Sequence, residues 1–418
     1  HDGWVDVFAV DGGAVADSAR AGRARHRLYR NRRNGTFEDA TANSGIVHRA
    51  YGMGACAADY DNDGSVDLFV TGVGANTLYR NLGRGKFRDV TNIAGVQSSA
   101  WSTSCAFADF DKDGAVDLFV TNYVDAHEGN NRFCGDPSRR IRVYCHPLNY
   151  QPLPAMLYRN TGNGTFANVT AQAGIASHRG NGLGVVVADY DDDGWPDVFV
   201  ANDSVPNFLY HNEGRGVFKD VALSAGVAVA NDGKSRAGMG TDFGDYDGDG
   251  RLDLVVTNHE FETTTLFRNL GKGLFADATS ESGIGPATLP YVAFGAALFD
   301  YDNDGRLDLA IANGHVVDNT AQMRAGSTHA QRRLLFRNVD GRRFIEMGRR
   351  SGSGFARDKV GRTLAFADFD NDGDLDLLIT NNGQTIDLLR NDGGNRHNAL
   401  IVRTEGTKSN RDGIGARL

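Results

Sequence analysis

The sequence predicts an all-β fold, a seven-bladed β-propeller, and three observations carry that prediction. A nine-residue acidic loop recurs six times in full. A short apolar run follows every copy, and a Leu-aromatic-basic-Asn segment recurs seven times, with Leu389 in place of the aromatic in the last. At 418 residues, length alone would point to two or three domains, but internal repetition overrides that prior.

The loop organises everything else. In its first complete copy, Asp59, Asp61, Asp63 and Asp67 stand at positions 1, 3, 5 and 9, with Gly64 at position 6. Alternate side chains of a tight loop can converge on one centre, and Ca²⁺ takes six to eight oxygen ligands. The glycine relieves the sharp turn. The same pattern returns at Asp109, Asp111, Asp113 and Asp117, and again at Asp189, Asp191, Asp193 and Asp197. It continues at Asp245, Asp247, Asp249 and Asp253, then at Asp300, Asp302, Asp304 and Asp308, and ends at Asp368, Asp370, Asp372 and Asp376. Half a copy opens the chain, with Asp2 and Asp6 at positions 5 and 9. Acidic, glycine-containing turns are common on protein surfaces, but six repetitions of five fixed positions are not explained by turn chemistry alone. We expect Ca²⁺ at six complete loops and a partial seventh. The position-7 backbone carbonyl would complete each set, from Ser65, Ala115, Trp195, Arg251, Arg306 and Asp374. The ion's role is structural, a cross-link between two strands; sensing is the alternative, and Mg²⁺ fits less well because it keeps its waters.

Each loop runs into a β-branched and aromatic stretch, so it joins strands rather than helices. Leu68–Thr71 is the first such run, and Leu377–Asn381 the last. The Leu-aromatic-basic-Asn segment supplies a third strand, as in Leu78–Asn81, and a Gly-x-Phe turn leads to a fourth, as in Gly85–Thr91. Ahead of each loop lies a small-residue strand such as Gly52–Ala58, suited to the crowded centre of a propeller. Its Gly-x-Gly pieces enter strands, so they are not phosphate-binding loops. Four strands per repeat and no distinct capping repeats favour a closed propeller over an open solenoid. The chain opens inside a motif, and we read it as a fragment whose first blade lacks its innermost strand. Two insertions, at about 125–155 and 315–332, belong in loops on a propeller face, where function concentrates.

Composition excludes several classes. Six loops of four aspartates hold 24 of the 53 acidic residues, and six Ca²⁺ would turn the formal charge of −9 into +3. No basic face argues for nucleic acid, and no run of 18 apolar residues argues for a membrane span. There is no HExxH, P-loop or GxSxG motif.

The loops and small-residue strands resemble FG-GAP/VCBS repeats, the calcium-loop propeller also found in integrin α-subunits. The Leu-Tyr-Arg-Asn and Gly-Thr-Phe segments and the Asn313-Gly314-His315 step narrow the resemblance to the CRTAC1/ASPIC-UnbV group. We therefore place the propeller at 1–394 and read 395–418 as the truncated beginning of an ASPIC/UnbV module. The resemblance implies a secreted, extracellular or periplasmic calcium-binding protein without established enzymatic activity. Its function would be to present one face to a protein, glycan or small-molecule partner. A biosynthetic accessory role is the alternative.

On the face opposite the loops, the ends of the second strands carry Asn202, Asp203, His259, Glu260, His315 and Asn381. These are candidate ligand-binding residues. Imidazole with carboxylate also suits a transition metal or general acid–base chemistry, which is the basis of a metalloenzyme alternative. The plainer reading is that they cap strand ends. Among the four cysteines, Cys134 and Cys145 are expected to staple the first insertion, the alternative being a metal or redox pair with His146. Cys56 and Cys105 are expected to be separate, small core residues.

Overall fold

In the computed structural model, the described residues are 2–13, 25–47, 51–323, 326–397, 400, 402, 404–407 and 409–416. They form ten antiparallel sheets, of which seven are the blades of a propeller, in chain order, and three are two-stranded. Blades 2 to 6 have four strands each. Blade 1 has three (Val7–Ala9, Arg27–Asn31 and Phe37–Asp39), and so does blade 7 (Gly361–Ala367, Asp376–Asn381 and Asp387–Leu389). In blade 2, Tyr51–Ala58, Asp67–Val73, Thr77–Asn81 and Phe87–Asp89 pair in sequence order. The acidic loop joins the first and second strands of a blade, and its ninth residue opens the second strand.

Small residues line the innermost strands because neighbouring backbones nearly touch. A Cβ on Gly240 would lie 2.0 Å from the Phe294 carbonyl oxygen of the next blade, and one on Gly295 would lie 2.5 Å from Leu364 N. The first strand of several blades slips register at its start, as between Gly52 and Gly54. A threonine on the second strand fills the bulge: Thr71 Oγ1 accepts from Gly54 N at 2.9 Å, and Thr257 Oγ1 accepts from Gly240 N at 2.8 Å. The same hydroxyls donate to the neighbouring blade, to Thr103 O and Phe294 O. Apolar second and third strands pack between blades. Phe69, Leu78 and Leu118 share one core, and Phe199, Leu209 and Leu254 share the one two blades on.

One expectation needs correction. Cys56 and Cys105 are joined as a disulfide, with Cα atoms 5.8 Å apart. They lie one residue out of step within their repeats, Cys56 opposite Phe69 and Cys105 opposite Val120, so on neighbouring innermost strands their side chains face each other. The first insertion folds as a hairpin. Cys134–Asp136 pairs with Ile141–Val143 beside the Cys134–Cys145 disulfide. This hairpin lies against the second insertion, through Arg139 to Gln322 O at 3.1 Å and Asn319 to Arg142 O at 3.0 Å.

Beyond blade 7, the chain folds back onto the loop of blade 2. Asp412 accepts from Asp59 N, and Arg411 N donates to Asn62. Part of the stretch that resembles the further module (398, 399, 401, 403, 408, 417 and 418) lies outside the described residues.

Candidate cation loops and the opposite mouth

Each acidic loop is built by its own aspartates. The position-1 carboxylate accepts from the backbone N–H groups of positions 5 and 6, as Asp59 does from Asp63 and Gly64. The position-5 carboxylate accepts from position 7, as Asp63 does from Ser65. Positions 4 and 6 both have positive φ, +56° at Asn62 and +89° at Gly64. Glycine was expected at the second of these; the first explains the Asn, Asp or Gly usually found there, with Lys112 the exception. The half-loop keeps the same logic: Asp2 accepts from Trp4 N, and Asp6 from Asn31 N.

The carboxylates that remain converge. Oxygens of Asp59, Asp61 and Asp67 lie within 4.8 Å of one another, as do those of the matching trios at Asp109, Asp189 and Asp245. Position-3 oxygens of Asp61, Asp191, Asp302 and Asp370 are buried without a hydrogen-bond partner. Position 9 is the most enclosed. Burial, opposed by the N–H of the following asparagine and reinforced by neighbouring carboxylates, pushes Asp67, Asp117 and Asp197 up to about 8. Asp253 and Asp308 are pushed up to about 7, and Asp376 to about 6. Buried, clustered, unpartnered carboxylate oxygens are short of positive charge, and a hard divalent cation fits that donor set.

The basic residue of the third strand reaches into this cluster. Arg80 Nε lies 2.6 Å from Asp61, and Arg337 Nε lies 2.9 Å from Asp302. In blade 4 the residue is His211, with Nδ1 3.4 Å from both Asp191 and Asp197.

The asparagine next to it does what sequence reasoning missed. Its backbone N–H donates to the position-9 aspartate, and its side chain reaches the preceding blade's loop. Asn160 donates to Tyr60 O at 2.7 Å, Asn212 to Phe110 O at 2.9 Å, and Asn269 to Tyr190 O at 2.8 Å. Asn338 and Asn391 repeat the bond, and Asn31 closes the ring by donating to Phe369 O of blade 7 at 2.7 Å. The signal was the unbroken recurrence of this asparagine in all seven repeats.

On the opposite mouth, His259, Glu260 and His315 come together. The imidazole rings are 5.4 Å apart and edge-to-face, and His315 Nε2 is 3.6 Å from Glu260 Oε1. Ser327 donates to the other oxygen at 2.8 Å. His315 and Glu260 are both more than nine-tenths buried, and burial lowers the pKa of His315. Because His315 Nδ1 accepts from Val317 N, the hydrogen of the neutral ring sits on Nε2, the nitrogen 3.6 Å from Glu260. That tautomer suits a hydrogen-bonding pair rather than a metal ligand at Nε2. Asp203 is elsewhere, accepting from Tyr123 at 2.6 Å and from Ser204. Asn202 and Asn381 turn their amides onto the carbonyls of Pro206 and Thr385, as strand-end caps. Arg362, not singled out in the sequence, stacks over Phe294 at 4.1 Å and donates to the carbonyls of Gly314, Gly361 and His315. Burial lowers its pKa to about 10.

The FG-GAP-like repeat family matches residues 1–70, 59–120, 152–200, 189–256 and 245–311. Cartilage acidic protein 1 of Homo sapiens is 31% identical over 242 residues, covering 56% of this chain and 34% of its own length. Its Xenopus tropicalis counterpart is 28% identical over 253 residues. The chain thus spans about a third of the length of the curated relatives it matches. Among solved structures, an Agrocybe aegerita lectin specific for non-reducing terminal N-acetylglucosamine aligns with a TM-score of 0.46 at 16% identity, covering 93% of this chain and 91% of its own. BBS1N in complex with ARL6DN aligns at 0.46 and 10% identity, covering 94% and 95%. The repeat match extends over most of the sequence, so this chain belongs to the FG-GAP-like repeat family.

Proposed function

We propose that the chain is a calcium-stabilised propeller that works outside the cell or in the periplasm as a binding scaffold. The observation that carries the calcium reading is the row of buried position-3 carboxylate oxygens without partners, each beside two further aspartates. Two disulfides support an oxidising compartment. Among the described residues, no helix is long and apolar enough to cross a membrane. The partner, whether protein, glycan or small molecule, would meet the mouth opposite the loops, where the two insertions and the Glu260–His315 pair lie. Residues 395–418 would begin a further module. Screening immobilised protein against glycans and extracellular proteins, with Glu260→Gln and His315→Ala as controls, tests this. Binding that both variants abolish supports it, and binding indifferent to both would contradict it.

A second reading, proton-transfer chemistry in a biosynthetic enzyme, is favoured by one observation. Glu260 and His315 form a buried imidazole–carboxylate pair with a defined tautomer.

A further inference from the structure

Blade 4 departs from its neighbours at one atom set. The third-strand basic residue is Arg30, Arg80, Arg159, Arg268, Arg337 or Arg390 in the other blades, and His211 here. A guanidinium has no lone pair to offer a cation, so an arginine that enters the loop competes with the ion. A neutral imidazole does have one. His211 Nδ1 is buried without a hydrogen-bond partner and stands 3.4 Å from both Asp191 Oδ2 and Asp197 Oδ1. Two ligands bound about 2.1 Å from one ion at a tetrahedral angle sit roughly 3.4 Å apart. Nε2 is 3.9 Å from Asp193, and Asp191, Asp193 and His211 can each bring a donor atom within 4.8 Å of the others. The ring is held edge-on against Tyr190, with centroids 6.3 Å apart.

We infer that blade 4 carries a mixed oxygen–nitrogen site, in which His211 joins the loop aspartates and selects a d-block divalent cation over Ca²⁺. Imidazole suits zinc, copper, iron and nickel, whereas calcium takes oxygen ligands. The inference rests on the acidic loops being cation sites.

The test uses the whole chain, stripped by chelation and loaded with Co²⁺ in excess Ca²⁺. The visible bands of Co²⁺ and its amount after desalting are read for wild type and for His211→Arg, the residue of the other blades. Wild type should keep one Co²⁺ per chain with imidazole-type bands, and His211→Arg should keep none while melting normally in calcium. Equal Co²⁺ in both proteins, or complete displacement by calcium in wild type, would overturn the inference. If His211→Arg does not fold, His211→Gln replaces it with the same criteria. Calcium is measured in the same samples: its absence from both proteins overturns the loop reading, and its presence without a Co²⁺ difference overturns only the role of His211.

Discussion

The asparagine that ends the third strand makes three kinds of bond at once. Asn212, fully buried, donates to Phe110 O in the preceding blade and to Pro196 O in its own loop, and accepts from Gly214 N. Replacing it with alanine leaves two carbonyls and an N–H unsatisfied, at a cost of about 2–4 kcal/mol in urea unfolding. Asn81 donates to Val66 O of its own loop, and no cross-blade bond is described for it, so Asn81→Ala should cost clearly less. Asp242 offers a different handle. Burial pushes its carboxyl up to about 6, despite N–H bonds from Leu298 and Phe243. A raised carboxyl favours folding below its unfolded value, near 4, and that contribution is lost as the pH rises through 6. Stability should therefore fall between pH 4 and 6 because of this group, and Asp242→Asn should flatten that slope in melts across the range. The aspartates' spacing was legible in the sequence because a loop nine residues long fixes which side chains can meet. The asparagine's recurrence was legible too, but its partner lies in the previous repeat, and only the closed ring brings the two together.

At the scale of elements, each acidic loop shapes its own carboxylate cluster with its own backbone N–H groups. Asp61→Ala removes a buried oxygen pair from one loop only, so elemental analysis should find one calcium fewer, with the rest retained. The first insertion is a separate element, closed by Cys134–Cys145 across 11 residues. Cross-linking a loop of that size contributes up to roughly 3 kcal/mol of local ordering. Cys134→Ser with Cys145→Ser should speed proteolytic cleavage near 124–153 while the propeller melt moves little. That pairing was readable from short spacing within one insertion. The Cys56–Cys105 bond was not read, because the one-residue offset that turns the two side chains toward each other has meaning only once the innermost strands are known to pack side by side.

For the whole molecule, the blades are joined in a ring by asparagine side chains, by threonine hydroxyls on the innermost strands, and by contacts from loop to loop. Asn62 donates to Gly114 O, Asn303 to Gly373 O, and Asn371 to Gly3 O. Position-9 aspartates sit directly beneath the asparagine staples, so charge left uncompensated in a loop strains the joint between blades. A cation bound in the loops would couple to ring closure in this way, because binding to the folded state alone stabilises it by mass action. The most direct measurement is calcium content and thermal melting of the whole chain, before and after chelation, in buffer holding calcium alone. The account predicts six calcium ions per chain and a large fall in melting temperature on chelation, reversed by adding calcium back. A chain that carries no calcium, or that melts at the same temperature with and without it, would contradict the account.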